Sequence, residues 1–184
     1  MHWNDHSRIS GLHAFLGASK YHWINYNEEK IKAAYESFQA VALGTRYHEL
    51  AAEMIRLKVK PEKRKKTFNL YVNDAIGFDM SPEVVLMYSE NCFGTTDAIC
   101  FRDGMLRIHD LKTGMTPAHI EQLYIYEALF CLEYDVRPQD IESELRLYQF
   151  NEIKSEVPDP KDIQGIMDKI KLFDKIITEM KANE

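Results

Sequence analysis

The stretch from Gly94 to Thr113, GTTDAICFRDGMLRIHDLKT, leaves the chain little freedom in how it can fold. Asp103-Gly104 suits the two left-handed positions of a type I′ turn, and β-rich runs flank it, so residues 94–102 and 105–112 are expected to pair as antiparallel strands. A two-residue turn also sets the register. Arg102 then stands opposite Met105, Phe101 opposite Leu106, Ile99 opposite Ile108, Asp97 opposite Asp110 and Thr95 opposite Lys112. The last four pairs share one face, apolar near the turn and charged at the far end. Directly opposed residues bring their Cβ atoms to roughly 4.5–5.5 Å, so Asp97 and Asp110 would repel each other.

Three things could relieve that repulsion: a proton on one carboxyl, the Lys112 ammonium, or a hard divalent cation bound by both. A solvated sheet edge with a salt bridge would also accommodate the three side chains. The metal is the favoured reading. Two aspartates and a lysine on one face suit phosphodiester hydrolysis, in which Mg²⁺ or Mn²⁺ activates water and the ammonium holds the nucleophile or the developing charge.

The flanking sequence is read as one domain, 1–184. It comprises a helical N-terminal segment (1–39), a core (40–150) and a last helix (159–182), and 45% hydrophobic content suffices to build the core. Cys92, Cys100 and Cys131 are odd in number and match no zinc spacing, which fits reduced thiols in a cytosolic protein. No apolar run is long enough to cross a bilayer and no signal-like segment opens the chain. A net charge of −6 does not advertise a nucleic-acid binder. Its distribution says more: Arg56, Lys58, Lys60, Lys63, Arg64, Lys65 and Lys66 crowd into RLKVKPEKRKK, a local basic patch or simply a solvated helix end.

Before the core, Trp3, His6, His13, Phe15, Tyr21, His22, Trp23 and Tyr26 make an aromatic, His-rich opening. Ser10 and Ser19 are read as caps of short helices there, and Asn27 as the start of a helix to about residue 40. A second helix, 40–57, carries the stripe Leu43, Tyr47, Leu50, Met54 and Leu57, expected to be buried, with His48 beside it among Gly44, Ala51 and Ala52. Further helices are expected over 65–76, from the Thr116-Pro117 cap to Glu133, and after Asp159-Pro160. Strands are expected at 84–89 and 145–150. Gln122 and Tyr126 share a face early in the 116–133 helix, and as buried polar groups they need partners. The order gives an α/β sandwich with a mixed sheet.

Four motifs in series, Gly-Thr-x-x-His at 44–48, Gly-x-x-Asp at 94–97, Asp-Leu-Lys-Thr-Gly at 110–114 and Gln-x-x-x-Tyr at 122–126, resemble the PD-(D/E)XK nuclease superfamily. The similarity is to its RecB-nuclease-like branch, which includes CRISPR-associated iron–sulfur exonucleases and phage exonucleases. Ser-Lys-Tyr-His-Trp-Ile at 19–24 is similar to the opening segment of some phage members. Two departures stand out: Asp110 replaces the commoner Glu, and Thr96 stands where proline is usual. The iron–sulfur cysteine pattern is missing, so no cluster is expected.

The resemblance implies a restriction-endonuclease-like αβββαβ core with a mixed central sheet and extra N-terminal helices. It implies Mg²⁺ or Mn²⁺ on Asp97, Asp110, His48 and the Leu111 carbonyl, and Lys112 orienting water with Gln122 and Tyr126 completing the catalytic set. The activity implied is a DNA exonuclease leaving 5′-phosphates, with the basic run tracking the backbone. A structure-selective endonuclease and a non-catalytic nucleic-acid-binding or regulatory module are the alternatives. A homo-oligomer or a recombination or replication partner docking on the last helix fits the same picture, as does a cytoplasmic setting, the host cell's if the gene is a phage's.

Overall fold

The computed structural model describes residues 14–183. Trp3, His6, Ser10 and His13 lie outside them. The chain falls into two compact units, Met1–Leu43 and Gly44–Glu184.

In the first unit, Ala18–Asn25 forms a 3₁₀ helix rather than a turn capped by Ser19; Gly17 precedes it, and its carbonyl accepts a bond from Trp23 Nε1 at 3.0 Å. The Phe15 ring lies 5.1 Å from Tyr35 and 5.3 Å from Phe38, so the aromatic residues of this segment pack on one another. Asn27 does open the helix that follows, its Oδ1 accepting from Lys30 N at 2.9 Å. That helix, α1, runs unbroken over Glu28–Leu57, where two helices were expected. Nothing near residue 40 stops it, and Gly44 costs only about 1 kcal/mol in a helix interior.

The second unit is an α/β structure with a five-stranded mixed sheet: β1 (Ser81–Ser89), β2 (Cys92–Arg102), β3 (Met105–Leu111), β4 (Glu142–Gln149) and β5 (Glu152–Glu156), in spatial order 1-2-3-4-5. Only β3 and β4 are parallel, joined by helix α3 (Glu121–Glu133). The β2–β3 turn is as expected, with Asp103 and Gly104 at φ of 52° and 78° and Arg102 opposite Met105, Phe101 opposite Leu106 and Ile99 opposite Ile108. One face of the sheet packs Leu86, Ile99, Leu106, Ile108 and Leu145 against α3 and against α4 (Pro160–Ala182). The other packs Ala98, Leu111 and Tyr148 against α2 (Thr67–Gly77) and the C-terminal turns of α1.

Four expectations need correcting. The large stripe of α1 is not its buried face: Leu43, Tyr47, Leu50 and Leu57 are exposed, and the helix buries Ala51, Ala52 and Ile55 instead. Ala51 and Ile55 join the cluster that includes Ala98, Leu111 and Tyr148. Helix α3 begins at Glu121, not at Thr116-Pro117, because Gln149 holds the preceding segment as a loop. Its Nε2 donates to the Gly114 and Thr116 carbonyls at 2.9 and 2.8 Å, and its Oε1 accepts from Ala118 N at 2.9 Å. Strand β4 starts at Glu142, three residues earlier than read, and β5 was missed because its turn, Phe150-Asn151 at φ of 53° and 61°, carries a phenylalanine where Gly or Asn usually signals the bend. The last helix is capped as read, Asp159 Oδ1 accepting from Lys161 N. It buries Ile163, Met167 and Ile170 and leaves Phe173, Ile177 and Met180 exposed. Among the described residues no helix is long and apolar enough to cross a membrane.

Candidate active site

The β2–β3 ladder ends at Ala98 opposite His109, one pair before the aspartates. Beyond that point β3 follows β4, pairing Asp110 with Leu147 and Leu111 with Tyr148, and Lys112 N donates to the Tyr148 carbonyl at 2.9 Å. The expected ladder pairs Asp97–Asp110 and Thr95–Lys112 therefore do not form. The Asp97 side chain takes the place of the missing ladder bond: Oδ2 accepts from Leu111 N at 2.8 Å and Oδ1 from His48 Nδ1 at 3.2 Å. Asp97 thus joins β2 to β3 and to α1.

Asp110 sits on the other side of this gap, 2% exposed. Lys112 Nζ donates to its Oδ1 at 3.2 Å and lies 3.0 Å from Oδ2, which accepts no hydrogen bond. The same ammonium donates to Gln122 Oε1 at 2.8 Å; Gln122 Nε2 donates to Tyr126 Oη at 3.0 Å, and that hydroxyl donates to the Thr95 carbonyl at 2.7 Å. A chain of polar contacts runs from Asp110 through α3 back to β2, so Lys112 is held on two sides. His48 lies across Asp97 from this chain, on α1.

Burial, and after it the Asp97 charge, push the Asp110 carboxyl up to about 6, against the opposing pull of Lys112 and His48. His48 is raised from its ordinary value, first by its bond to Asp97 and then by the charges of both aspartates, with burial acting the other way. Burial also raises Tyr126, keeping its hydroxyl protonated to serve Thr95.

Two glycines make the convergence possible. A Cβ on Gly94 would meet Tyr126 Cε1 at 2.8 Å, and one on Gly44 would meet Thr113 Oγ1 at 2.9 Å. The first lets the Tyr126 ring lie across β2, and the second lets the loop after Lys112 lie against α1. Thr96, where proline is usual in the resembled motif, is buried and donates to the Val84 carbonyl at 3.1 Å, a bond proline could not make.

His48, Asp97, Asp110, Leu111, Lys112, Gln122 and Tyr126 are thus brought together. The basic run is split. Arg56 pairs with Glu83, Lys58 with Asp79 at 2.7 Å and Arg64 with Glu62 at 2.6 Å. Asp79 also pairs with Arg102 beside the β2–β3 turn, at the end of the sheet away from the aspartates. Lys60, Lys63, Lys65 and Lys66 are exposed, and Lys66 lines a cleft that also includes Lys112. That cleft, about 450 Å³, with Tyr47, Phe68 and Phe150 in its walls, escaped the sequence reading, because its aromatic residues come from three separate elements.

Among the described residues no three His, Cys, Asp or Glu side chains form a metal cage. A divalent ion here would rest on the carboxylate pair, which matches Mg²⁺: it is usually held by one or two carboxylates, with water and substrate phosphate supplying the rest. Asp110 Oδ2, buried and accepting no hydrogen bond, has the Lys112 ammonium 3.0 Å away, so an ion there would share the oxygen with Lys112 or displace it. His48 has already committed Nδ1 to Asp97, which leaves Nε2 as its only donor atom. The donor set is chemically suited to such an ion. Set against known proteins, the chain matches no protein-family model, no curated protein and no solved structure, so its chemistry has to be read from these side chains alone.

Proposed function

We propose that the second unit is a metal-dependent DNA nuclease of the PD-(D/E)XK type, most simply an exonuclease leaving 5′-phosphates. One observation carries the reading: Asp110 is kept buried beside Asp97, with its Oδ2 lacking a hydrogen bond and its carboxyl raised to about 6. A merely structural position would be cheaper with an amide or an apolar side chain, because burying a carboxylate near another costs several kcal/mol. Sites that must hold positive charge or move protons accept that cost. The order α1, α2, β1, β2, β3, α3, β4 is compatible with a restriction-endonuclease-like core.

Mg²⁺ or Mn²⁺ on Asp97 and Asp110, with His48 Nε2 a further donor, would lower the pKa of the attacking water and neutralise charge on the phosphate. The protein's own part follows from its contacts. Asp97, tied to Leu111 N and His48, bridges the gap where the strand ends part. Lys112, held by Asp110 and Gln122, would place its ammonium by the attacked phosphate and stabilise the added negative charge. Gln122 and Tyr126 fix that ammonium, and Lys60, Lys63, Lys65 and Lys66 would attract the backbone, with binding that weakens as salt rises.

A second reading has its own support. His48 and Lys112 already give each aspartate a cation, as they would in a module that keeps the fold and binds DNA without cutting it. Digestion of end-labelled linear and closed circular DNA, single- and double-stranded, with Mn²⁺, Mg²⁺ or EDTA, decides between them. Loss of linear DNA only, abolished by EDTA, by Asp110→Asn and by Lys112→Ala, is expected. Cutting of circles would move the activity to a structure-selective endonuclease, and an inert wild type in both metals would leave the binding module.

A further inference from the structure

The cleft beside Lys112 is built rather than incidental. Its wall at the β4–β5 turn is fixed by a two-way clamp: Asn151 Oδ1 accepts from Thr67 N at 3.0 Å, and Asn151 N donates to Thr67 Oγ1 at 2.7 Å. Its opposite wall, the loop from Thr113 to Met115, is held from beneath by the Gln149 amide. Lys112 N, bonded to the Tyr148 carbonyl, closes the floor, so the end of β4 positions three sides of the cleft.

Into this cleft the chain places aromatic rings and cations. Phe150 is 49% and Tyr47 40% exposed, with Tyr47 backed by the Phe68 ring at 5.7 Å. Phe150 stands out further, because it occupies the first turn position at φ of 53°, where a bulky side chain is strained and Asn or Gly is not. A fold that needed only a turn there would not select phenylalanine. Backbone strain held at an exposed aromatic points to a use for the ring. Lys66 and Lys112 supply positive charge, and among the described residues no carboxylate lines the cleft, although the chain carries a net charge of −6. Rings with cations and no anions make a surface for a flat, negatively charged polymer unit.

We propose that this cleft takes an unpaired DNA base next to the phosphate at Lys112, which makes single-stranded ends and overhangs the substrate class of the site. The inference rests on reading that site as a phosphodiesterase. A base held in a duplex presents only its edges, whereas an unpaired one exposes the face that Phe150 and Tyr47 can stack upon. At about 450 Å³ the cleft falls within the roughly 300–1,000 Å³ of ordinary ligand pockets.

The test is binding in EDTA, apart from any cleavage, read by fluorescence anisotropy on the whole chain. The probes are a labelled oligothymidylate of about eight nucleotides, the same strand made wholly abasic, and a blunt duplex. Wild type is expected to bind oligothymidylate about tenfold more tightly than the abasic strand. Phe150→Gly should erase that difference, and Phe150→Trp should restore it. Glycine accepts positive φ without strain, so Phe150→Gly should fold at least as well as wild type, and a melting curve checks this. Equal wild-type binding of the two strands, tighter binding of the blunt duplex, no binding at all, or a difference that survives in Phe150→Gly would overturn the proposal. Metal-dependent cleavage by the same wild-type preparation would leave the nuclease reading standing in any of those cases. Base-dependent binding without cleavage in either metal would refute the chemistry and keep the cleft.

Discussion

Two charged clusters sit on the same sheet and settle their charges in opposite ways. On the α2 face, Arg146 donates to Glu144 at 2.6 Å and Asp74 at 3.1 Å, Arg107 donates to Glu144 at 3.1 Å, and Tyr148 Oη donates to Asp74 at 2.8 Å. Both guanidinium groups lie over the Phe78 ring, 4.6 and 5.0 Å from its centre. Burial would raise Glu144, but the bonds and charges of the two arginines outweigh it and hold the carboxyl below its ordinary value. His109 beside them is pushed down to about 3, by burial first and then by the two arginines, so it packs as a neutral ring. At the other cluster Asp110 is pushed up to about 6. Compensated carboxylates hold the fold together. Asp110 has Lys112 as a partner too, but its burial and the Asp97 charge outweigh the pull of Lys112 and His48, so its charge costs stability where that of Glu144 does not.

The largest effect should separate the two. Lys112→Ala is expected to lower DNA cleavage about 10²–10³-fold, on the scale of removing a preorganised charge from a transition state. Arg146→Met should do the reverse. It leaves Glu144 with Arg107 alone and Asp74 with only the Tyr148 hydroxyl, and lowers stability by about 1–2 kcal/mol, less than a fully buried pair would lose. Equal damage to stability by both variants, read by urea unfolding, would erase the distinction.

Asp110→Asn comes next, and its sign is the unusual part. The folded-state pKa lies above the ordinary carboxylate value, so folding favours the proton. Stability is therefore complete below that ordinary value and is lost as pH rises through about 6. The amide should remove the loss, raising stability at pH 8 by up to about 3 kcal/mol while leaving it unchanged near pH 3, and should abolish cleavage. A variant that is less stable at pH 8 would show that the carboxylate is structurally satisfied after all.

How much of this was legible in the sequence depended on how local the determining interaction was. The β2–β3 turn and its first pairs were readable, because Asp103-Gly104 sets them within a few residues. The parting of the strands was not, since it depends on β4, some forty residues on, capturing β3 through Tyr148. The site residues survived the wrong register because Asp97 reaches Leu111 with its side chain. The start of α3 was misplaced for a similar reason: Gln149 overrides a good local cap at Thr116-Pro117. The α1 stripe failed because the helix buries Ala51 and Ala52 beside Ile55, a face that a search for large apolar residues passes over.

Glu127 tests whether a raised carboxyl is enough to mark a site. It is 1% exposed, its Oε2 is unpartnered, and burial pushes it up to about 7 against the bond from Ser143 at 2.9 Å. It lacks what Asp110 has: a second carboxylate and a lysine anchored from another element. Its stability contribution follows the same sign, complete below the ordinary glutamate value and lost as pH rises through about 7. Glu127→Gln should therefore raise the unfolding free energy by up to about 3 kcal/mol at pH 8, flatten the pH profile, and leave cleavage unchanged. A loss of activity in that variant would mean that the site extends into the core beneath α3.

The smallest effects come from the two glycines, and they differ for a physical reason. Gly94→Ala puts a methyl 2.8 Å from a ring carbon of Tyr126, which is 9% exposed and bonded at its hydroxyl to Gln122 and Thr95. The ring has little room to yield, so about 1–2 kcal/mol of stability should go, together with about tenfold in cleavage as Gln122 and then Lys112 shift. Gly44→Ala meets Thr113 at 2.9 Å, but Thr113 is exposed in a loop and can move. Alanine also gains up to about 1 kcal/mol of helix preference within α1, so the net change in stability should be close to zero. Moving Thr113 disturbs its neighbour Lys112, so cleavage should still fall a few-fold. Activity lost at constant stability is the signature expected of a residue that serves the Asp97–Asp110 cluster, and a Gly44→Ala protein that melts earlier yet cleaves normally would place that residue with the scaffold instead.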